Sequence, residues 1–302
     1  MGKAGGRPRL RLEKGDTVAL VSPAGPVDEK RGRGAVKLLE SRGLKVRTTG
    51  DYLARTGFTA GNDERRLAEL LKALTDPDVR AVFCSRGGYG SQRVAPYLEI
   101  PAGTRPKPVV GFSDNTALLN YLGRAEGWHS LYGAHPDPAK PGELDKVLAV
   151  LMVGEKPAYE NLKIVRPGRA VRAPVAGGCL SLLSTAVGTP CFPDLAGRLL
   201  FIEDVGEAPY RLDRMLTHLL QSGSLEGARG VLFGDPSTFA PRGTPLEEVD
   251  AVLADFVARA RLPALSGLPC GHVKANGPLP FGPEARADFG KGTLTFLEPL
   301  AG

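Results

Sequence analysis

Apolar and polar positions along this chain alternate between two periods, and the change from one to the other recurs. Asp16 to Ser22 reads DTVALVS, a short continuous apolar run that stops at Pro23-Ala-Gly-Pro26. A run of that length bounded by turn residues predicts a strand buried on both faces. Asp28 to Glu40 then takes helical spacing, and Leu44 to Thr49 returns to a strand. Asp63 to Leu74 is helical, Val79 to Ser85 a strand, Arg86-Gly-Gly-Tyr-Gly90 a loop and Ser91 to Leu98 helical. Val109 and Val110 stop at Gly111, Ser113 and Asp114 follow, and Ala117, Leu118, Tyr121 and Leu122 then share a helical face. Strands alternating with helices of this length predict βαβ units and a mostly parallel sheet flanked by helices. Ligands of such sheets bind at the carboxyl ends of the strands.

The pattern loosens from Pro136 to Gly168, a proline-rich stretch with one helix-like segment, Glu143 to Met152. The expected organisation is an N-terminal α/β domain over 8–137, a connection over 138–168 and a smaller C-terminal mixed α/β domain over 169–302. In the last of these, Ala170 to Ala176 reads as an edge strand and Leu180 to Val187 as a short helix. Leu199 to Ile202 and Gly230 to Phe233 read as strands, with helices at Tyr210 to Leu220 and Leu246 to Ala260. Ala285 to Leu297 alternates like an antiparallel hairpin around Gly290-Lys-Gly292.

Composition narrows the function classes. The chain has 302 residues, 42% hydrophobic and 24% charged, as an ordinary globular protein does. Its net charge of +6 comes from interspersed residues, and with 6% aromatics it lacks the basic, aromatic-laced stripe of a nucleic-acid binder. No run approaches the ~18 apolar residues that span a membrane, and no signal-peptide core is present, so the cytoplasm is expected. Cys84, Cys179, Cys191 and Cys270 lack metal-ligand spacing and read as small buried hydrophobes. No metal or cofactor is expected.

Three segments carry candidate chemistry. A serine on a strand–turn–helix corner has its hydroxyl exposed at the carboxyl end of the strand, next to backbone N–H groups that open the helix. Ser113 is so placed, although Ser113 or Asp114 capping that helix is the structural alternative. Leu199-Leu-Phe-Ile runs straight into Glu203 and Asp204, which puts carboxylates where ligands collect; either could instead cap the next turn. His272 lies in a Gly/Pro-rich loop rather than on an apolar face, which makes it the first choice for a base, with His135 the weaker rival. In that order a serine, a glutamate and a histidine suffice for a triad in which His272 takes the Ser113 proton and Glu203 orients the imidazole. The loop Arg86 to Gly90 has no Walker ending, and Gly88 and Asp114 are expected to supply the oxyanion N–H groups.

Several segments together resemble the LD-carboxypeptidase family of serine peptidases, which also contains the microcin C immunity-type peptidases. They are LVSPAGPV (Leu20 to Val27), SRGGYG (Ser85 to Gly90), GFSD (Gly111 to Asp114), GGCLS (Gly177 to Ser181), LFIEDVGEAPYRLDRML (Leu200 to Leu216) and GHVKANGPLPFG (Gly271 to Gly282). The resemblance implies a two-domain cytoplasmic hydrolase, commonly a homodimer, with its active site in the groove between the domains. It assigns the nucleophile to Ser113 in the first domain and the acid and base to Glu203 and His272 in the second. The chain departs from the family where Cys179 replaces a usual Asn, and where Tyr132-Gly-Ala-His-Pro136 stands for a His-Gly-Pro segment.

The implied reaction is removal of the terminal D-Ala from a murein tetrapeptide, a small peptide substrate. Such an exopeptidase must read a free carboxylate. Arg86, with Gly87 beside it, is expected to do so, the alternative being that Arg86 pairs with a protein carboxylate. Two further readings are an immunity-type peptidase acting on an aminoacyl-nucleotide amide and a small-ligand binding protein without catalysis.

Overall fold

The computed structural model describes residues 11–300. Residues 1–10, including residue 8 where the N-terminal domain is expected to begin, and 301–302 lie outside the described residues.

The first half follows the alternating pattern. Its elements are β1 (Thr17–Val21), α1 (Glu29–Ser41), β2 (Lys45–Thr48), α2 (Asp63–Thr75), β3 (Val79–Cys84), α3 (Ser91–Val94), β4 (Val109–Gly111), α4 (Thr116–Leu122) and β5 (Ser130–Tyr132). β2, β1, β3, β4 and β5 lie side by side in that order and are all parallel. The apolar runs serve both faces of this sheet. Val18, Leu20, Ala81, Phe83 and Val110 pack under α1, while Ala19, Val21, Val82, Cys84 and Val109 pack on the opposite side. Each Val, Leu or Phe side chain among them contributes about 1.5–3 kcal/mol on leaving water. The two 13-residue helices of this half, α1 and α2, start on side-chain caps: Asp28 accepts from Arg31 N at 2.9 Å and Asn62 from Arg65 N at 3.0 Å.

The remaining elements are α5 (Pro141–Leu148), β6 (Ala158–Tyr159), β7 (Lys163–Arg166), β8 (Val171–Cys179), α6 (Leu180–Ala186), β9 (Leu199–Glu203), α7 (Pro209–Gln221), β10 (Gly230–Gly234), α8 (Pro236–Phe239), α9 (Leu246–Ala260), β11 (Ala264–Leu268), β12 (Leu279–Phe281), β13 (Glu284–Asp288) and β14 (Thr293–Phe296). Eight strands form a second sheet in the order β6-β14-β13-β8-β9-β10-β11-β7. β8 to β11 are parallel, and antiparallel strands flank them on both sides. The molecule is thus α/β with two sheets.

Three features differ from the sequence reading. Residues 138–168 do more than connect: α5 buries Leu144, Val147 and Leu148 on the first sheet, and β6 and β7 become edge strands of the second. β8 is not an edge strand but lies between β13 and β9. Its exposed start and its Pro174 read as an edge, yet its last five residues are buried. They are small because neighbours come close. A Cβ at Gly177 would lie 2.0 Å from the Phe201 carbonyl oxygen, and one at Gly178 would lie 2.4 Å from Thr116 Oγ1. Finally β12, from the second half, pairs antiparallel with β5 and closes the edge of the first sheet.

Candidate active site

The loops after β1, β3 and β4 gather at the carboxyl edge of the first sheet, beside the β1/β3 point where the strand order reverses. Gly25 of the Pro23–Pro26 turn donates to the Gly87 carbonyl at 3.1 Å. A Cβ at Gly25 would lie 2.9 Å from that oxygen, so only glycine permits the contact. Gly87 in turn lies against the serine corner: its Cβ would be 2.9 Å from Ser113 Cβ and 3.1 Å from Ser113 Oγ.

Ser113 itself has φ = 61°, a left-handed conformation that costs an L-residue roughly 1–3 kcal/mol. It opens a 3-10 turn over Ser113–Asn115 that leads into α4. Asp114 does not cap α4. Its buried carboxylate accepts from Gly90 N (3.2 Å) and Ser91 N (2.8 Å) and so locks the glycine loop to the serine corner. Burial pushes this carboxyl up from its usual range, against the pull of the Ser91 and Gly90 donors.

The second half brings the other groups to the same place. α4 is pinned to the end of β8: Asn120 Nδ2 donates to Gly177 O (2.9 Å), Gly177 N to Asn120 Oδ1 (3.2 Å) and Cys179 N to Thr116 Oγ1 (3.0 Å). Cys179 and Glu203 are register partners on β8 and β9, so the pin sets Glu203 beneath the serine corner. His272 Nε2 lies 3.0 Å from Ser113 Oγ, and His272 Nδ1 lies 2.8 Å from Glu203 Oε2. The same Glu203 oxygen accepts the His272 backbone N–H at 3.0 Å. Gly271, at φ = 104°, makes room: a Cβ there would be 2.3 Å from Glu203 Oε2. Asn276 steadies the loop by accepting the Gly271 N–H at 2.9 Å.

Glu203 is 1% exposed. Burial disfavours charge on His272, but its hydrogen bond to Glu203 and the nearby charges of Glu203 and Asp204 outweigh that, and its pKa is raised. Asp204 is the structural carboxylate of the pair. It accepts from Ser181 N and Val205 N, both at 2.8 Å, and caps α6.

His135 bonds the turn around Ser113 rather than its hydroxyl. Its Nε2 accepts from Asn115 Nδ2 at 3.0 Å, and its ring lies 4.6 Å from that of Phe112. Burial, with the positive charge of Arg86, pushes it down to about 3, which keeps it neutral. His218 bonds Ser184 on the far side.

Arg86 is exposed and donates to the Pro26 carbonyl at 3.0 Å rather than to a carboxylate. It lines a 270 Å³ pocket with Arg31, Phe112, His135, Lys140 and Glu143. In that pocket Arg31 is paired with Asp137 (2.6 Å) and Lys140 with Glu143 (3.1 Å). Gly88, at φ = 109°, sits in the exposed part of the glycine loop. The four cysteines are buried and free, and Cys179 lies beside Glu203 in the strand register. Among the described residues, no three or more His, Cys, Asp or Glu are grouped to hold a metal ion. Among them, too, no helix is long and apolar enough to cross a membrane.

Sequence reasoning missed Tyr132. The last residue of β5 is 0% exposed; its hydroxyl donates to Glu203 Oε1 at 2.5 Å and accepts from Ser113 N at 3.1 Å. The departure from the family pattern at this segment was the only signal pointing to it.

Comparison with known proteins shows the family of the chain. Residues 18–133 match the model of the LD-carboxypeptidase N-terminal domain, and residues 172–287 that of its C-terminal domain. A Streptomyces coelicolor protein that bears a carboxypeptidase name is 38% identical over 96% of both chains. The crystal structure of muramoyltetrapeptide carboxypeptidase from Oxalobacter formigenes is 30% identical with a TM-score of 0.79, covering 92% of this chain and 97% of that one. The microcin C7 self-immunity protein of Escherichia coli shares the fold, with a TM-score of 0.84 at 21% identity over 97% and 98% of the two chains. The chain belongs to the LD-carboxypeptidase family and is a serine-type carboxypeptidase.

Proposed function

We propose that the protein removes the C-terminal D-alanine from murein tetrapeptide by way of an acyl-enzyme. The observation that carries this reading is the unbroken chain Ser113 Oγ–His272–Glu203, with links of 3.0 and 2.8 Å. In the first step Ser113 Oγ attacks the carbonyl carbon of the penultimate residue and His272 Nε2 takes the hydroxyl proton. Glu203 holds the proton on Nδ1 in place and stabilises the imidazolium. The tetrahedral oxyanion is met by the backbone N–H groups of Asp114 and Gly88. Ser113 N–H already donates to Tyr132, so the nucleophile's own amide is not one of these donors. The C–N bond then breaks, and His272 returns its proton to the leaving amine of D-alanine. Water adds to the acyl-enzyme by the same route in reverse, releasing the tripeptide.

Arg86, with Gly87 giving room beside the nucleophile, reads the free carboxylate of the leaving residue. Its forked guanidinium is not engaged by a protein carboxylate, and the two other cations of the pocket are. The related muramoyltetrapeptide carboxypeptidase supports this substrate class. Cytoplasmic location and a homodimer belong to the same reading; sedimentation of the purified chain tests the second.

One observation favours an aminoacyl-nucleotide substrate instead. Phe58 and Tyr89 form an exposed aromatic pair, with centroids 5.3 Å apart, at the tip of the glycine loop. A base could stack there. The experiment is mass spectrometry of two digests, one of murein tetrapeptide and one of an aminoacyl sulfamoyl adenosine. Loss of one alanine from the tetrapeptide is the expected result. Cleavage of the adenosine compound alone would replace this reading with the other.

A further inference from the structure

We propose that Tyr132 is a positioning residue of the reaction, its hydroxyl joining the backbone of the nucleophile to the acid of the triad. The proposal rests on the Ser113–His272–Glu203 reading above and adds a fourth member to it. The hydrogen bonds form a closed ring. Ser113 N donates to Tyr132 Oη (3.1 Å), which donates to Glu203 Oε1 (2.5 Å). Glu203 Oε2 receives His272 Nδ1 (2.8 Å), and His272 Nε2 meets Ser113 Oγ (3.0 Å). A phenol has one proton to give and lone pairs to receive, so this single group satisfies both neighbours at once.

Two physical needs are met by that oxygen. Glu203 is buried, and a carboxylate taken out of water needs hydrogen-bond donors on both of its oxygens. His272 supplies them to Oε2 through its ring and its backbone N–H, and Tyr132 supplies the donor to Oε1. Ser113 is held at φ = 61°, and an acceptor for its N–H fixes the peptide plane that aims Oγ. The hydroxyl itself is rigidly placed. Its ring stacks on Phe281 at 5.7 Å and meets Phe201 edge-on at 5.5 Å, and Gly178 leaves the space that the ring edge fills. Burial, then the charge of Glu203, push the phenol well above its usual range, so the proton stays on the oxygen at working pH.

The link also crosses the molecule. Tyr132 ends a strand of the first sheet and Glu203 ends a strand of the second, so one hydroxyl registers the nucleophile of one half against the acid of the other. Without it Glu203 Oε1 has no donor in a dry site. The carboxylate then leans harder on its remaining donors, His272 among them, and protonation of His272 moves to higher pH.

The test is the rate at which a fluorophosphonate labels Ser113, measured against pH in wild type, Tyr132→Phe and Ser113→Ala. This readout does not depend on which peptide or nucleotide is the natural substrate. Tyr132→Phe is expected to label about 10- to 100-fold more slowly, with the acid limb of its rate profile displaced upward. An unchanged rate and limb would overturn the proposal. So would a slower rate with an unmoved limb, which is what a packing defect alone produces. If Tyr132→Phe does not fold, 3-fluorotyrosine at position 132 keeps the oxygen and makes it a stronger donor, and the limb should then move to lower pH; an unmoved limb would count against the role. Failure of wild type to label at Ser113 would remove the triad reading itself, and Tyr132 with it.

Discussion

A backbone angle of 61° at Ser113 is the smallest feature on which the account depends. It turns the hydroxyl out of the sheet and toward His272, and its neighbours are shaped to permit it. Gly87 is the closest of them, so Gly87→Ala should intrude on Ser113 Oγ while leaving the fold intact. The expected effect is a fall in kcat of about 100-fold, the cost of misplacing a reacting group by about an ångström, with little change in melting temperature. Wild-type kcat in that variant would show that the corner tolerates a side chain.

The raised pKa of His272 gives a second expectation. A base must be unprotonated to act, so activity is lost as pH falls through its pKa. Because that pKa is raised, the acid limb of kcat/KM should have its midpoint above the ordinary histidine value of about 6.5. A rate that stayed flat down to pH 5 would contradict a histidine base. Ser113, Glu203 and His272 could be picked from sequence because each stands where an apolar or glycine-rich run breaks. The departure from the family pattern marked the Tyr132 segment but no role for the residue, since its ring is indistinguishable from a core aromatic until the strand register is known.

Among the elements, the contact between α4 and β8 fastens the Ser113 corner to the strand end beside Glu203. Asn120 exchanges two hydrogen bonds with the backbone of Gly177 in a buried setting. Asn120→Ala would leave a buried N–H and a buried carbonyl without partners, and should destabilise the protein by about 2–4 kcal/mol. Chemical denaturation measures it; a loss below about 0.5 kcal/mol would mean water replaces the amide freely. Elements buried on both faces, such as β1 and the Ala81–Cys84 part of β3, were legible as apolar runs. β8 was not, because close approach of Phe201 and α4 makes its buried end glycine-rich instead of apolar. β6, β7 and β12 are two to four residues long, too short for a period to show.

At the scale of the molecule, the inner faces of the two sheets share one core. One contiguous cluster contains Val21, Val82 and Leu118 from the first half and Leu200, Phe201 and Leu265 from the second. The protein should therefore unfold in a single cooperative transition by calorimetry and by circular dichroism alike. Two resolved transitions would mean that the halves are held together more loosely than the shared core implies. This coupling matters to the proposed chemistry, since Ser113 comes from one half and Glu203 and His272 from the other. The sequence pattern showed that there were two halves, but the return of β12 to the first sheet depends on pairing across 147 residues between Tyr132 and Leu279 and leaves no local trace.

The most direct measurement is the turnover of murein tetrapeptide by wild type and by Ser113→Ala, followed by mass spectrometry. Wild type should release one D-alanine per peptide, and the variant should bind the peptide yet lose on the order of 10⁴-fold or more in kcat. A loss of less than tenfold would contradict the account, because a serine that can be removed so cheaply is not the nucleophile.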